Sequence, residues 1–343
     1  MLRLFFLGCQ IAILVLTKNY YYFALLMPLF TITGNLWMAW RVHKLYPHYH
    51  AQGTLSQKEK ADIKKLVAGT FVQRACSVTR NSLDSICISA FLGLTLTAIY
   101  NNYFAVFTGV ISFVGLINAA FMGGIGNHVA TRSVKENYDE MKKLDFVYLW
   151  LGGWCTICLL CLYQPFMELW MGKDLMLPFS AVCLICLYFY LLRLGDIRSM
   201  YASANGQWWE QRYRAIGETI LNLVLNITLG RFFGVHGIII ATIISLFLCN
   251  YLWSAGITFK LYFSPGRKKD YYTYQGKQSI VNLIACLMTY GLCEMIKVDN
   301  LPMLFLIRVI ICLIVPNAMF YTIYRKSDRF VYAKKRIFGT SNE

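Results

Sequence analysis

Apolar runs approaching or exceeding the roughly 20 residues needed to cross a bilayer recur along this chain. They fall at 4–17, 20–40, 66–93, 98–126, 146–165, 177–194, 215–230, 237–262, 279–296 and 301–323. Hydrocarbon offers backbone groups no hydrogen-bond partner, so such spans must be helical. The expectation is an all-α polytopic membrane protein of about ten transmembrane helices, in which 4–17 and 215–230 are the shortest runs. A chain that is 57% hydrophobic and only 15% charged fits this class and not a soluble one. The net charge of +16 would suggest nucleic acid in a soluble domain; here the placement of the charges decides. If residue 41 is cytoplasmic, the Lys and Arg at 3, 41–65, 132–143, 193–214, 260–277 and 325–336 fall inside, and Lys18, Lys173, Arg231 and Lys297 fall outside. That is the positive-inside pattern with both termini cytoplasmic, so the basic balance reports topology and implies no nucleic-acid partner.

One span conflicts with its surroundings. Residues 66–93 carry Arg74, Arg80 and Asp84 at membrane depth, where each ionisable group costs at least roughly 2.5–3.5 kcal/mol at the helix centre. At helical spacing Thr70, Gln73, Arg74, Ser77, Arg80, Asn81 and Asp84 form one polar stripe. Such a stripe is expected to line a bundle interior or a water-filled cavity. Arg80 and Asp84 lie four residues apart, so Asp84 serves either as counter-ion to Arg80 or as a site for a coupling proton or Na⁺. Glu218, Asn222 and Asn226 form a second polar edge at spacings of four, read mainly as interhelical hydrogen-bonding groups. Asn101 and Asn102 either cap a helix or reach the cavity, and Tyr100 and Tyr103 suit an interfacial belt. Glu294 and Arg308, in the outer halves of neighbouring spans, are expected to form a structural ion pair.

Other features point away from chemistry. The opening segment resembles a signal peptide but lacks a small-residue cleavage site, which favours a retained or truncated span. Cys155-x-x-Cys158-x-x-Cys161 is followed by Gln164-Pro165 where an iron–sulfur pattern would continue; it reads as helix packing, and no metal or cofactor is expected. His43, His48 and His50 sit in a polar linker without partners at ligand spacing. The paired Trp208 and Trp209 with flanking arginines suit an inner-face anchor. The outer loops are short, leaving little room for a catalytic domain, so the chain is not expected to be an enzyme.

Several stretches together resemble the lipid-linked oligosaccharide flippases of O-antigen and capsule export, in the multidrug/oligosaccharidyl-lipid/polysaccharide exporter superfamily. They are Arg80-Asn-Ser-Leu-Asp84-Ser-Ile, 94–103 with its Tyr-Asn-Asn-Tyr, Gly126-Asn127, Glu168-Leu-Trp170-Met-Gly172 and 206–214. The resemblance continues through Glu218, Asn222-Leu-x-Leu-Asn226, Phe233-Gly234-x-x-Gly237 and Ala241-Thr242-x-x-Ser245. It implies an incomplete two-lobe exporter fold. Residues 1–41 would be the last two helices of a partial first lobe, 42–65 a cytoplasmic linker and 66–263 a complete six-helix second lobe. A basic cytoplasmic loop would follow at 264–278, two additional helices at 279–324 and a basic cytoplasmic tail at 325–343. It also implies a bacterial cytoplasmic membrane and, as partners, a polyprenyl-diphosphate-linked oligosaccharide, membrane lipids and other polysaccharide assembly proteins. On that reading Arg74, Arg80, Asn81, Gln73, Asn101 and Asn222 contact substrate and Asp84 couples an ion or balances charge. The competing readings are a membrane-embedded glycan polymerase or acyltransferase and a non-transporting fragment.

Overall fold

A computed structural model of the chain describes residues 2–48 and 53–338. His50 of the linker histidines lies outside them. The chain forms two compact units, Met1–Lys60 and Ala61–Glu343. In the first, α1 (Leu2–Thr17) and α2 (Tyr20–Leu45) pack as a hairpin. The Asn19 side chain accepts from the Tyr21 backbone N–H at 2.9 Å and so caps α2, and Phe6 stacks on Phe30 at 4.3 Å. No residue of α2 is buried within this pair.

The second unit is entirely helical among the described residues. α3 (Gln57–Leu92), which starts just before the boundary, is followed by α4 (Leu94–Thr131), α5 (Val134–Met171), α6 (Phe179–Leu194), the short α7 (Asp196–Ala204) and α8 (Arg212–Ser245). α8 turns back on itself at Gly234, whose φ of 58° and ψ of −136° break the helix into two legs. Glycine adopts this backbone without a Cβ penalty. Beyond Ser245 the second leg widens into π turns over Leu246–Trp253, narrows through α9 (Ser254–Thr258), and widens again over Phe259–Phe263. α10 (Lys268–Met295), α11 (Leu301–Tyr324) and α12 (Asp328–Phe338) complete the chain.

Among the described residues, six stretches are long and apolar enough to cross a membrane: Tyr20–Leu45, Leu94–Thr131, Val134–Met171, Phe179–Ala204, Arg212–Phe263 and Leu301–Tyr324. The fold is thus an all-α polytopic membrane protein. Three expected spans fall outside this set: α1, which at 16 residues is too short, and α3 and α10, which reach 36 and 28 residues. Arg74, Arg80 and Asp84 interrupt α3, whereas Gln275, Gln278 and Asn282 run along the buried face of α10. α5, with 38 residues, is longer than a bilayer core requires. Its polar start is secured by a capping box between Ser133 and Glu136.

α5 is the hub, packing against α6, α10 and α11. Aromatic contacts also tie in α4: its Tyr103 stacks on Tyr163 of α5 at 5.2 Å and its Phe107 on Tyr188 of α6 at 5.0 Å. Tyr100 and Tyr103, expected at an interface, are fully enclosed instead. Their hydroxyls are committed inside, Tyr100 to Asp84 and Tyr103 to the Gln164 side chain, so burial leaves no polar atom stranded. The connection 193–214, expected as a polar inner-face connection, folds inward at its arginines. Arg193 pairs with Asp196 at 2.8 Å. The fully buried Arg198 donates to the carbonyls of Asn250 and Tyr251, both at 2.8 Å. Those two carbonyls belong to the widened turn, so the guanidinium satisfies backbone acceptors at a helix irregularity. The tail, expected to be merely basic, contains α12. It packs on α5 through Phe330 on Trp150, with ring centroids 5.8 Å apart, and through a hydrogen bond from Tyr332 to Glu140.

Candidate functional site

The polar stripe of α3 meets the first leg of α8. Gly69 sets the spacing at one end, because a Cβ there would lie 2.6 Å from the backbone N of Trp209. Only glycine permits that approach. Further along, Gln73 accepts from Arg214 at 2.7 Å. Glu218, 2% exposed, is then shared between two guanidiniums. Arg80 donates to its Oε1, and Arg214 reaches Oε2 at 2.6 Å. Arg214 and Glu218 come from one helix at i,i+4 while Arg80 comes from α3, so the carboxylate ties the two helices together. The three side chains carry a net charge of one positive unit. The Nε groups of Arg80 and Arg214 have no partner. Asp84 is therefore not the counter-ion that bonds Arg80.

About one helical turn on, Asp84 forms a second cluster. It is 5% exposed and draws donors from three directions: Tyr100 of α4 at 3.3 Å, Asn226 of the first α8 leg at 2.9 Å, and Thr242 of the second leg at 3.0 Å. Asn222 donates to Thr242 at 2.9 Å and accepts from Asn226 at 3.2 Å, and Ser245 lies 3.5 Å from the Asn222 amide. The Asn226 Oδ1 is buried without a partner. A carboxylate surrounded by amide, hydroxyl and phenol oxygens has the donor set that a hard cation or a proton can use after modest side-chain reorientation.

The sequence-derived site residues thus separate into groups. Gln73, Arg80, Asp84 and Asn222 are brought together at the α3–α8 seam. Arg74 and Asn81 stay on the same stripe but on its exposed side. Asn101 lies inside α4 and caps nothing; its side chain accepts from Ser85 at 2.8 Å. Arg308 and Glu294 meet at 2.9 Å between α10 and α11, remote in sequence and role from the stripe. Sequence reasoning did not place Glu218, Arg214, Asn226, Thr242 or Tyr100 in the site. For Arg214, Glu218 and Asn226 the signal was the four-residue ladder 214, 218, 222, 226, which marks one face of one helix; nothing local marked Thr242 or Tyr100. The cysteine run shows the reverse limitation. Cys161 converges with Cys293 and Cys312 from other helices, the three sulfurs lying within 4.8 Å of one another, and Cys158 also contacts Cys312. Ile157, Ala285 and Phe320 surround them in an apolar core.

No protein-family model matches the chain, and no curated protein matches it. Among solved structures it is similar to a MOP superfamily transporter from Pyrococcus furiosus. The two share 17% identity with a TM-score of 0.49, over 81% of this chain and 69% of that one. The functional reading rests on the side chains described above and not on that likeness.

Proposed function

We propose that the chain is a membrane transporter, a flippase for polyprenyl-diphosphate-linked oligosaccharide units in cell-surface polysaccharide biosynthesis. It works by alternating access in the bacterial cytoplasmic membrane, with both termini cytoplasmic and α3–α8 as one of the two rocking bundles. The observation that carries the reading is the cationic cluster of Arg80, Glu218 and Arg214 at the edge of the exposed stripe bearing Arg74 and Asn81. Two guanidiniums competing for one carboxylate leave hydrogen-bonding capacity and net positive charge. A diphosphate supplies the forked, anionic acceptors that guanidiniums bind best. Gln73, Asn81 and Asn101 add neutral donors beside it for head-group oxygens.

Asp84 supplies the coupling site in this reading. Its partners sit on α4 and on both legs of α8, so a proton or Na⁺ bound there redistributes hydrogen bonds among four helical segments at once. That is the kind of bistable junction through which an ion can bias one bundle against another.

The deciding experiment reconstitutes the chain in liposomes and follows flipping of a lipid-linked oligosaccharide under imposed H⁺ or Na⁺ gradients. Arg80→Lys keeps charge but loses the planar fork, so transport should fall strongly with normal membrane insertion. Asp84→Asn should uncouple flipping from the gradient. Gradient-dependent flipping retained in both Arg80→Ala and Asp84→Asn overturns the proposal and leaves the stripe as packing.

A further inference from the structure

A second feature takes no residue from the α3–α8 seam and lies beside the basic tail of the second unit. A cavity of about 940 Å³ opens between α4, α5, α11 and α12. Much of its lining is apolar, including Ile117, Val147, Leu151 and the rings of Trp150 and Trp154. Both indole N–H groups are satisfied within the protein. Trp150 donates to Asn317 at 2.9 Å, and Trp154 to the Cys312 carbonyl at 2.8 Å. What the tryptophans show the cavity is ring surface. The charged groups of its wall are Arg325, just past α11, and Lys334, on α12; both are exposed. Neither has a carboxylate partner among the described residues.

An apolar cleft between membrane-embedded helices, with two unpaired cations at its rim, has the polarity of a phospholipid read from tail to head. We propose that this cavity is a specific site for an anionic glycerophospholipid. Its acyl chains lie along Leu151 and Trp154, and its phosphate sits between Arg325 and Lys334. Charge complementarity selects an anionic over a zwitterionic head group, since each cation near an anionic head group contributes separately. The largely apolar lining of the cavity distinguishes this site from loose adsorption of the basic tail to a charged surface. Bound there, the lipid bridges α11 and α12 and holds the terminal helix against α5. The site does not depend on the transport reading.

The test uses the full chain, delipidated in neutral detergent and offered equal mixtures of phosphatidylglycerol and phosphatidylcholine with matched acyl chains. Lipid retained after washing is quantified by native mass spectrometry. Two cations should favour phosphatidylglycerol by roughly 30-fold, about fivefold for each. Arg325→Gln with Lys334→Gln should bring the ratio near unity. Lys268→Gln with Lys269→Gln, basic positions outside the cavity, should leave it unchanged. Val331→Trp, at an exposed position of the wall, should lower retention of both lipids. Thermal unfolding of every variant in neutral detergent checks that the fold is retained. No preference in the native chain, or equal loss in the two paired variants, overturns the proposal. The first outcome shows no head-group recognition, and the second shows bulk attraction to basic charge.

Discussion

Replacing Glu218 with Gln is the sharpest test of how the seam is held. Its carboxylate is 3% exposed and accepts from Arg80 and Arg214, whose side chains are 15% and 13% exposed. The amide preserves shape but strands two largely buried guanidiniums 80 and 214 residues into the chain on opposing helices. Removing one partner of a buried ion pair typically costs about 3–5 kcal/mol, mostly because the remaining charge has no compensation. Partial exposure of both arginines argues for the lower end, so about 3 kcal/mol is expected. Arg214→Gln should cost less, since Glu218 keeps Arg80. Replacing all three residues by Met should be milder than Glu218→Gln alone, because no charge is then left buried. Equilibrium unfolding in mixed detergent micelles gives the three values. A loss under about 1 kcal/mol for Glu218→Gln, or a triple variant worse than that single one, would refute the account.

Three further outcomes follow from particular contacts. Gly69→Ala sets a Cβ 2.6 Å from the Trp209 backbone; overpacking against main chain should lower stability by about 1–3 kcal/mol, read by the same unfolding assay. Arg198→Met removes the donor to the Asn250 and Tyr251 carbonyls. It should cost about 1–3 kcal/mol per stranded acceptor and raise hydrogen exchange around residues 246–253. Asp270 accepts from Lys142 at 2.8 Å and from Tyr138, and the Lys142 hydrogen bond holds its carboxyl below the ordinary value. Its folded pKa lies below its unfolded one, so its contribution is present above the unfolded value and is lost as pH falls through the folded value. Asp270→Asn should therefore destabilise at neutral pH and converge with the native chain in acid; a gap that persists in acid contradicts the assignment.

Much of the fold was legible because membrane spans are written in apolar length. The two α8 legs fall where 215–230 and 237–262 were expected, and the turn falls at Gly234. The inward path of 193–214 was not legible, because Arg193 and Arg198 look like loop charges until their partners appear. Those partners are Asp196 beside one and two carbonyls some fifty residues away for the other. Likewise Arg80 has Asp84 at helical spacing, and local geometry alone favours that pair. Glu218, 138 residues away, takes Arg80 instead, while Asn226, Thr242 and Tyr100 occupy Asp84. α12 was hidden for a different reason: a short segment as basic as 325–336 signals topology first, and its apolar face shows only against Trp150.

The transport reading also fixes the sign of coupling between the two clusters. Arg80 and Asp84 are about 6 Å apart along the α3 axis, and two unit charges at that separation interact by about 3 kcal/mol at an effective dielectric of 20. While Asp84 is ionised it opposes a diphosphate approaching Arg80; a proton or Na⁺ on Asp84 removes that opposition. Cation and anionic substrate should therefore bind together and not compete. Linkage makes the effect reciprocal, so substrate must strengthen cation binding by the factor with which cation strengthens substrate binding. Titrating Na⁺ and H⁺ against the reconstituted chain, with and without an undecaprenyl-diphosphate head-group analogue, measures this directly. Screening by solvent at the partly exposed Arg80 reduces the expected factor to about ten, well short of the full electrostatic figure. Asp84→Asn should bind the analogue as the cation-loaded native chain does and show no further response to either ion. If the analogue weakens cation binding in the native chain, the two clusters compete, and the assignment of Arg80 to the substrate and Asp84 to the ion fails.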